Sequence, residues 1–209
     1  LIEGFHNFKQ TYFLKERQYF ESLEKAQNPK TLVVACCDSR VDPAILLHCK
    51  PGDLFVIRNV AALVPAVTQA SNPCSVMSAI EYGVKHLNVE HIVVMGHSHC
   101  GGIHGLMTPE SIAGETYIQD WVSIASPALE RLQAMTGDED EKTRSRRCEE
   151  GAVLISLDNL LSYPWIAERV KNGQLKLHAL YYDLSEGNLY RFSPDSEDFE
   201  LLFHTIENP

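Results

Sequence analysis

Residues 32–40 of this 209-residue chain read Leu-Val-Val-Ala-Cys-Cys-Asp-Ser-Arg, an apolar run that ends abruptly in reactive side chains. Four consecutive apolar residues, from Leu32 to Ala35, are typical of a strand buried on both faces of a parallel sheet. Residues 92–102 repeat this arrangement: Ile-Val-Val-Met is followed by Gly-His-Ser-His-Cys-Gly-Gly. Sites in parallel sheets lie at the carboxyl ends of the strands, so we expect the two polar stretches to meet.

Apolar runs and helical periodicities continue on both sides of these segments. We predict further strands at 54–57, 175–182 and 189–192, and helices up to residue 25, at 43–48, at 72–87 and over most of 115–172. Asn72 and Pro73 are suited to begin the third of these helices. Strands that alternate with helices predict an α/β fold, with a mostly parallel central sheet covered by helices, an extending N-terminal helix and C-terminal strands. The length favours a single domain over 1–209.

The N-terminal segment has a pronounced aromatic pattern. Phe5, Phe8, Tyr12 and Phe20 recur at helical spacing among charged residues. A lone subunit would expose this large apolar face, and such faces are normally buried against a partner. We therefore expect residues 1–27 to be a helical arm that docks on a partner subunit.

The overall composition excludes some partners. There are 18 basic and 28 acidic residues, a net charge of -10, which disfavours binding to nucleic-acid phosphates. No stretch approaches the roughly 20 apolar residues of a membrane span, and residues 1–27 do not resemble a secretory signal. Adjacent Cys36 and Cys37 make a poor disulfide framework. We expect a protein of a reducing compartment, the cytoplasm, although an upstream targeting segment is left open.

Cys36, His97 and Cys100 are candidate metal ligands. Thiolate and imidazole are the ligands that zinc prefers, and three protein ligands with one open position form a catalytic site. His97 and Cys100 are three residues apart between glycines, and Cys36 ends a neighbouring strand. A buried thiol at a strand end and a histidine bonded to the backbone of a turn are the alternative interpretations.

Asp38 and Arg40 form a second candidate pair. They could simply close a loop as a local ion pair. A carboxylate beside a metal is costly unless it is paired, however, and a guanidinium is the usual group that holds one ionised and oriented. The sequence favours this functional interpretation.

The motifs Ala35-Cys-Cys-Asp-Ser-Arg-Val41 and Gly96-His-Ser-His-Cys-Gly-Gly102 together resemble the two-part signature of the β-class carbonic anhydrases, specifically their plant-like branch. The resemblance implies a lyase that hydrates carbon dioxide reversibly to bicarbonate. It implies one zinc per chain, held by Cys36, His97 and Cys100, and a zinc-bound hydroxide oriented by Asp38 and Arg40. It also implies a homodimer or a tetramer.

The same resemblance implies a substrate pocket. Its residues would be Gln27, Phe55, Val60, Tyr82, Gly101 and Gly102. Gln27 could serve the site of the neighbouring subunit. The best-known zinc site of this chemistry, in a carbonic anhydrase, has three histidine ligands. Two thiolates leave less positive charge on the ion, so we expect activity to rise toward alkaline pH.

Several alternatives remain open at the level of sequence. Cys37 could be a redox-sensitive thiol or a substitute ligand, and His99 or His104 could export protons. The branch of the family with an inhibitory bicarbonate site has tryptophan where this chain has Val33, so we do not expect that regulation. Hydrolysis of carbon disulfide or carbonyl sulfide, or a non-catalytic zinc-binding role, are the competing functions.

Overall fold

The computed structural model describes residues 1–70, 74–135 and 137–202, and its centre is a six-stranded sheet. The strands are β1 (Thr31–Cys36), β2 (Leu54–Asn59), β3 (His91–His97), β4 (Lys176–Asp183), β5 (Asn188–Ser193) and β6 (Asp198–Leu201). Their order is β2-β1-β3-β4-β5-β6. The first four run parallel and the last two pair antiparallel, which confirms the predicted mostly parallel sheet with C-terminal strands.

Helices surround this sheet. They are α1 (Ile2–Phe8), α2 (Arg17–Lys25), α3 (Pro43–Leu46), α4 (Ser75–Lys85), α5 (Gly101–Met107), α6 (Thr116–Val122), α7 (Ser126–Ala134), α8 (Glu141–Leu161) and α9 (Pro164–Lys171). The predicted helical region 115–172 is thus divided among α6 to α9. Helix α5 and strand β6 were not predicted. Asn72 and Pro73, predicted to begin α4, lie outside the described residues.

The two central strands are buried on both faces. Leu32 and Val34 of β1 pack with α4 and α8 on one face, whereas Val33 and Ala35 join a separate apolar cluster on the other. All four side chains are fully buried. Because successive residues of a strand point to opposite faces, burial of both faces requires an uninterrupted apolar run.

Helix α8 crosses the end of β3 at close range. A Cβ atom on Gly96 would lie 2.5 Å from Cγ2 of Val153, so only glycine allows the helix to approach this far. This contact brings α8 beside the loop that follows His97. No helix within the described residues reaches the length and apolarity that crossing a membrane requires.

The N-terminal segment is helical but not continuous. A π-helical turn, Lys9–Phe13, separates α1 from α2, and Phe8, Tyr12 and Phe20 gather there in edge-to-face contacts of 5.3 to 5.9 Å between ring centroids. The chain turns at residues 14–16, and this turn brings Phe20 back against the first two rings, which a straight helix would not allow. Docking of the segment on a partner stays a prediction.

Candidate metal centre

Two parallel strands deliver two of the predicted ligands to one point. Cys36 ends β1 and His97 ends β3, and the register of these neighbours pairs Ala35 with Met95. Cys100 follows at the start of α5. The two sulfur atoms and a histidine nitrogen all lie within 4.8 Å of one another, and all three side chains are at least 95% buried, being 5%, 1% and 3% exposed. The structure therefore brings the three predicted ligands together.

The imidazole of His97 is held with one nitrogen free. Its Nδ1 lies 2.8 Å from the carbonyl oxygen of Ser98 and donates to it, which leaves the lone pair on Nε2. Among the described residues, this Nε2 is the one buried side-chain nitrogen or oxygen without a hydrogen-bond partner. An orphaned buried nitrogen beside two thiols is costly in a protein interior unless a cation is its partner. These atoms fit zinc, in donor type and in number.

The sulfur atoms are placed to ionise. Sγ of Cys36 accepts from the backbone N–H groups of Asp38, at 3.4 Å, and Ala61, at 3.3 Å. A hydrogen bond from Cys100, helped by these groups, lowers the pKa of the Cys36 thiol below its usual range. The same contact, together with burial, raises the pKa of Cys100. The cluster thus favours a thiolate, which is the form of cysteine that binds metal.

Asp38 and Arg40 form a two-pronged ion pair beside the ligands. Oδ1 of Asp38 accepts from the backbone N–H and Nε of Arg40, both at 2.9 Å, and Oδ2 accepts from the second guanidinium nitrogen at 2.6 Å. Arg40 also donates to the carbonyl oxygen of His99 at 3.1 Å, which joins the two ligand loops. These bonds hold the pKa of the Asp38 carboxyl well below its usual range. Oδ2 remains 3.9 Å from Nε2 of His97, at the edge of the ligand cluster.

Arg58, at the end of β2, organises the loop that carries both Cys36 and Asp38. It donates to the carbonyl oxygens of Cys36, Asp38 and Val41 at 2.9, 2.7 and 2.9 Å. Sequence reasoning assigned it no role. The one available signal was a charged residue closing an apolar strand, and that signal does not reveal which carbonyl groups the side chain reaches.

Three of the six predicted pocket residues adjoin the ligands. Val60 packs in the same apolar cluster as Cys36 and Cys100, and Trp121 donates to its carbonyl oxygen at 2.8 Å. A Cβ atom on Gly102 would lie 2.6 Å from Cγ1 of Val60, so this glycine lets α5 approach the wall of the site. Gly101 begins α5 directly after Cys100.

The other three lie at the opposite end of the strands. Phe55 stands four residues before Asn59, the register partner of Cys36, which is about 13 Å along the strand at roughly 3.3 Å per residue. Tyr82 packs beside Phe55, with 6.1 Å between ring centroids, and Gln27 precedes β1. Within one chain, the structure therefore does not bring Gln27, Phe55 and Tyr82 to the ligands.

The remaining candidates are all at the surface. Cys37 is exposed and is not a member of the ligand cluster, so the structure gives no support to its role as a substitute ligand. His99 and His104 are also exposed. Nε2 of His99 lies 3.3 Å from Oγ of Ser185, and its backbone adopts a positive φ of 57°. Proton export by either histidine stays a prediction.

Comparison with known proteins shows that this chain is similar in sequence to characterised families and proteins. The family model described as "Carbonic anhydrase" matches residues 31–189. The chain is 40% identical over 199 residues to "Beta carbonic anhydrase 6, mitochondrial" of Arabidopsis thaliana, covering 93% of this chain and 68% of that protein. It is 38% identical to the chloroplastic β carbonic anhydrase 5 and 41% identical to β carbonic anhydrase 3 of the same plant, spanning 64% and 72% of their lengths.

Solved structures that resemble the fold of this chain are also β-carbonic anhydrases. The β-carbonic anhydrase CcaA superposes with a TM-score of 0.87 at 32% identity, over 97% of this chain and 91% of that one. A tetrameric β-carbonic anhydrase from Sordaria macrospora gives a TM-score of 0.78 at 29% identity, over 92% and 94%. The enzyme from Coccomyxa, solved with acetazolamide, gives 0.79 at 28% identity, over 91% and 83%.

Proposed function

Since this chain belongs to the β-class carbonic anhydrases, which are zinc lyases, we propose that it catalyses the reversible hydration of carbon dioxide to bicarbonate and a proton. One observation carries the proposal beyond family membership. Nε2 of His97 is buried without a partner beside the thiols of Cys36 and Cys100, so the chain retains the donor set that a zinc ion needs. Zinc at this point supplies the Lewis acidity that makes water a nucleophile near neutral pH.

Asp38 orients the reacting water. Its Oδ2 lies at the edge of the ligand cluster, 3.9 Å from Nε2 of His97, where it would accept a hydrogen bond from the reacting water and orient it toward carbon dioxide. Arg40 holds the carboxylate in one orientation, turned away from direct ligation, because it binds both carboxylate oxygens. Arg58 holds the backbone of the same loop and thereby preserves the distance between Asp38 and Cys36.

A second copy of the chain completes the substrate pocket. Val60 supplies an apolar wall from the same subunit, which suits a nonpolar substrate. Gln27, Phe55 and Tyr82 reach the pocket from the partner, because in their own subunit they lie at the far end of the strands. The exposed aromatic arm, residues 1–27, is the contact that holds the partner. The tetrameric relative from Sordaria macrospora supports a homo-oligomer. A homodimer is the smallest assembly in which one copy of the chain can supply pocket residues to the other.

Subunit complementation should reveal this shared pocket. One variant, Cys100→Ala, lacks its own metal site but donates intact pocket residues; the other, Gln27→Ala/Phe55→Ala, retains its metal site but donates defective ones. We expect the two homodimers to be nearly inactive. Co-expression in equal amounts should restore about a quarter of wild-type activity, because half of the dimers are mixed and each contains one native site. Activity no higher than that of the separate variants would place the pocket within a single subunit.

Stopped-flow measurement of carbon dioxide hydration, on protein whose zinc content is determined in parallel, tests the proposed function. We expect about one zinc per chain and turnover that rises from pH 6 to pH 9, because the two thiolates leave the ion with little net charge. Full zinc occupancy without hydration at any pH would refute the proposal. Assays with carbonyl sulfide and carbon disulfide would then separate a hydrolase from a non-catalytic zinc protein.

The cellular location stays a prediction. Two of the similar plant proteins are named as mitochondrial and chloroplastic, and the third carries no compartment in its name. We retain the cytoplasm as our proposal, on the ground that the six cysteines in the structure are all free thiols. Fluorescence microscopy of the full-length tagged protein in its host would decide the matter.

A further inference from the structure

Glu149, on α8, is a buried acidic residue to which the proposed reaction gives no role. The residue is 5% exposed, and each of its carboxylate oxygens has a defined partner. Oε1 accepts from the backbone N–H of Cys100 at 3.0 Å, and Oε2 accepts from the hydroxyl of Tyr181 at 2.7 Å. The carboxylate thus connects a long helix to a metal ligand that lies 49 residues away in sequence.

The cost of this burial requires an explanation. The side chain is withdrawn from water, and no cation among the described residues forms an ion pair with it. The guanidinium of Arg146, on the same helix, is engaged with Glu150 at 2.8 Å and lies over the rings of Tyr181 and Tyr190. A buried carboxylate without a salt bridge is expensive. The two hydrogen bonds of Glu149 are therefore the features that can explain why a carboxylate is buried here.

Among the described residues, the Glu149 carboxylate is the acceptor that the structure gives to the backbone N–H of Cys100. Cys100 is the N-cap residue of α5, and no side chain of its own segment caps that helix. The Cys100 N–H would otherwise depend on a water molecule, which satisfies the group without fixing its position. Helix α8 is itself held against the end of β3, where Gly96 admits Val153. The carboxylate thus links the backbone of Cys100 to a helix that packs closely against the central sheet.

We propose that Glu149, oriented by Tyr181, is a positioning residue of the metal centre: it fixes the backbone of Cys100, and with it the sulfur, in the geometry that retains zinc. The role rests on the zinc site of the proposed function but not on its substrate. The hydrogen bond of Glu149 reaches the backbone N–H of Cys100 and not its sulfur, so the residue acts through Cys100. Groups that orient metal ligands in this way typically change metal affinity by about 10- to 100-fold when removed.

The test compares zinc release from variants of the zinc-loaded, full-length protein into an excess of a chromogenic chelator. Glu149→Ala removes the acceptor and should release zinc about 10 to 100 times faster than wild type. Glu149→Gln keeps an oxygen that can accept from Cys100 and should restore retention to within a few-fold of wild type. Tyr181→Phe frees the carboxylate to rotate and should fall between them, and it keeps the test valid if the alanine variant does not fold.

Glu150→Gln is the matched control, because Glu150 is the adjacent residue on α8 and its partner is Arg146 rather than the ligand loop. This variant should lose thermal stability and still hold zinc at the wild-type rate. Cobalt-substituted proteins give a second readout: the visible absorption bands should shift in Glu149→Ala and remain unchanged in Glu150→Gln.

Three results would overturn the proposal. The first is a Glu149→Ala variant with wild-type zinc release and an unchanged cobalt spectrum. The second is zinc loss from Glu149→Gln as fast as from Glu149→Ala, since the acceptor oxygen would then be irrelevant. The third is equal zinc loss from Glu150→Gln, which would indicate general destabilisation. A wild-type chain that binds no zinc would instead refute the proposed function itself, and this role with it.

Discussion

Replacement of Cys100 by alanine should abolish zinc binding and reduce carbon dioxide hydration at least about a thousandfold, because enzymes commonly accelerate their reactions by 10⁶-fold or more and the zinc provides the reactive nucleophile. Cys100, Cys36 and His97 form the complete cluster of ligand-type side chains around this point in the described part of the chain. With one sulfur removed, two protein ligands remain, and a catalytic zinc site needs three. Metal analysis after gel filtration and stopped-flow kinetics measure the two effects.

Cys37→Ala is the matched control for this experiment. Cys37 is adjacent to a ligand but exposed, and its sulfur is outside the cluster. We expect this variant to keep its zinc and its activity. Zinc loss on replacing Cys37, or full zinc content in Cys100→Ala, would mean that the ligand set is wrong.

The ligand set could be predicted from sequence because its geometry follows from the backbone. Two uninterrupted apolar runs indicate neighbouring buried strands, and parallel strands present their carboxyl ends at one edge. Cys36 and His97 end two such strands, and the register confirms that they meet. The short spacing to Cys100 then leaves few places for the third ligand.

The supporting residues could not be predicted in this way. Arg58 and Glu149 act through long side chains that reach carbonyl oxygens or an N–H group 22 and 49 residues away. Such contacts depend on helix placement and rotamers, which no local pattern specifies. In sequence, a charged residue at the end of a strand or on a helix looks the same whether or not its side chain reaches a metal ligand.

The substrate pocket illustrates a different limit. Its membership was inferred by resemblance, which names residues without saying which copy of the chain supplies them. The structure separates Val60, beside the ligands, from Phe55 and Tyr82, at the far end of the strands. Likewise, aromatic periodicity predicted one N-terminal helix, whereas the chain turns at residues 14–16 and packs Phe20 against Phe8 and Tyr12.

Replacement of Asp38 by alanine should leave zinc in place and reduce hydration at least about a hundredfold, the loss expected when a reacting group is no longer held in its productive geometry. Asp38 is not a member of the ligand cluster, so its removal leaves three metal ligands. Asp53→Asn is a suitable control, because Asp53 is an exposed aspartate in the turn before β2 and its carboxylate accepts from the backbone N–H of Lys50. It should retain most of its activity. An Asp38→Ala variant with zinc bound and full activity would refute the role of the dyad.

The pH dependence of the hydration rate distinguishes two possible roles of Arg40: orienting the Asp38 carboxylate and keeping it ionised. Arg40 depresses the pKa of Asp38, so the carboxylate is ionised above that lowered value and any stabilisation from the pair is lost only as the pH falls through it, in strong acid. In Arg40→Ala the pKa should return toward the ordinary value of aspartate, about 3.9, which is still well below pH 6. We therefore expect Arg40→Ala to lower the rate by a similar factor at every point from pH 6 to pH 9, without a new inflection. A rate that recovers to wild type at the alkaline end would mean that Arg40 acts by keeping the carboxyl ionised, and not by orienting it.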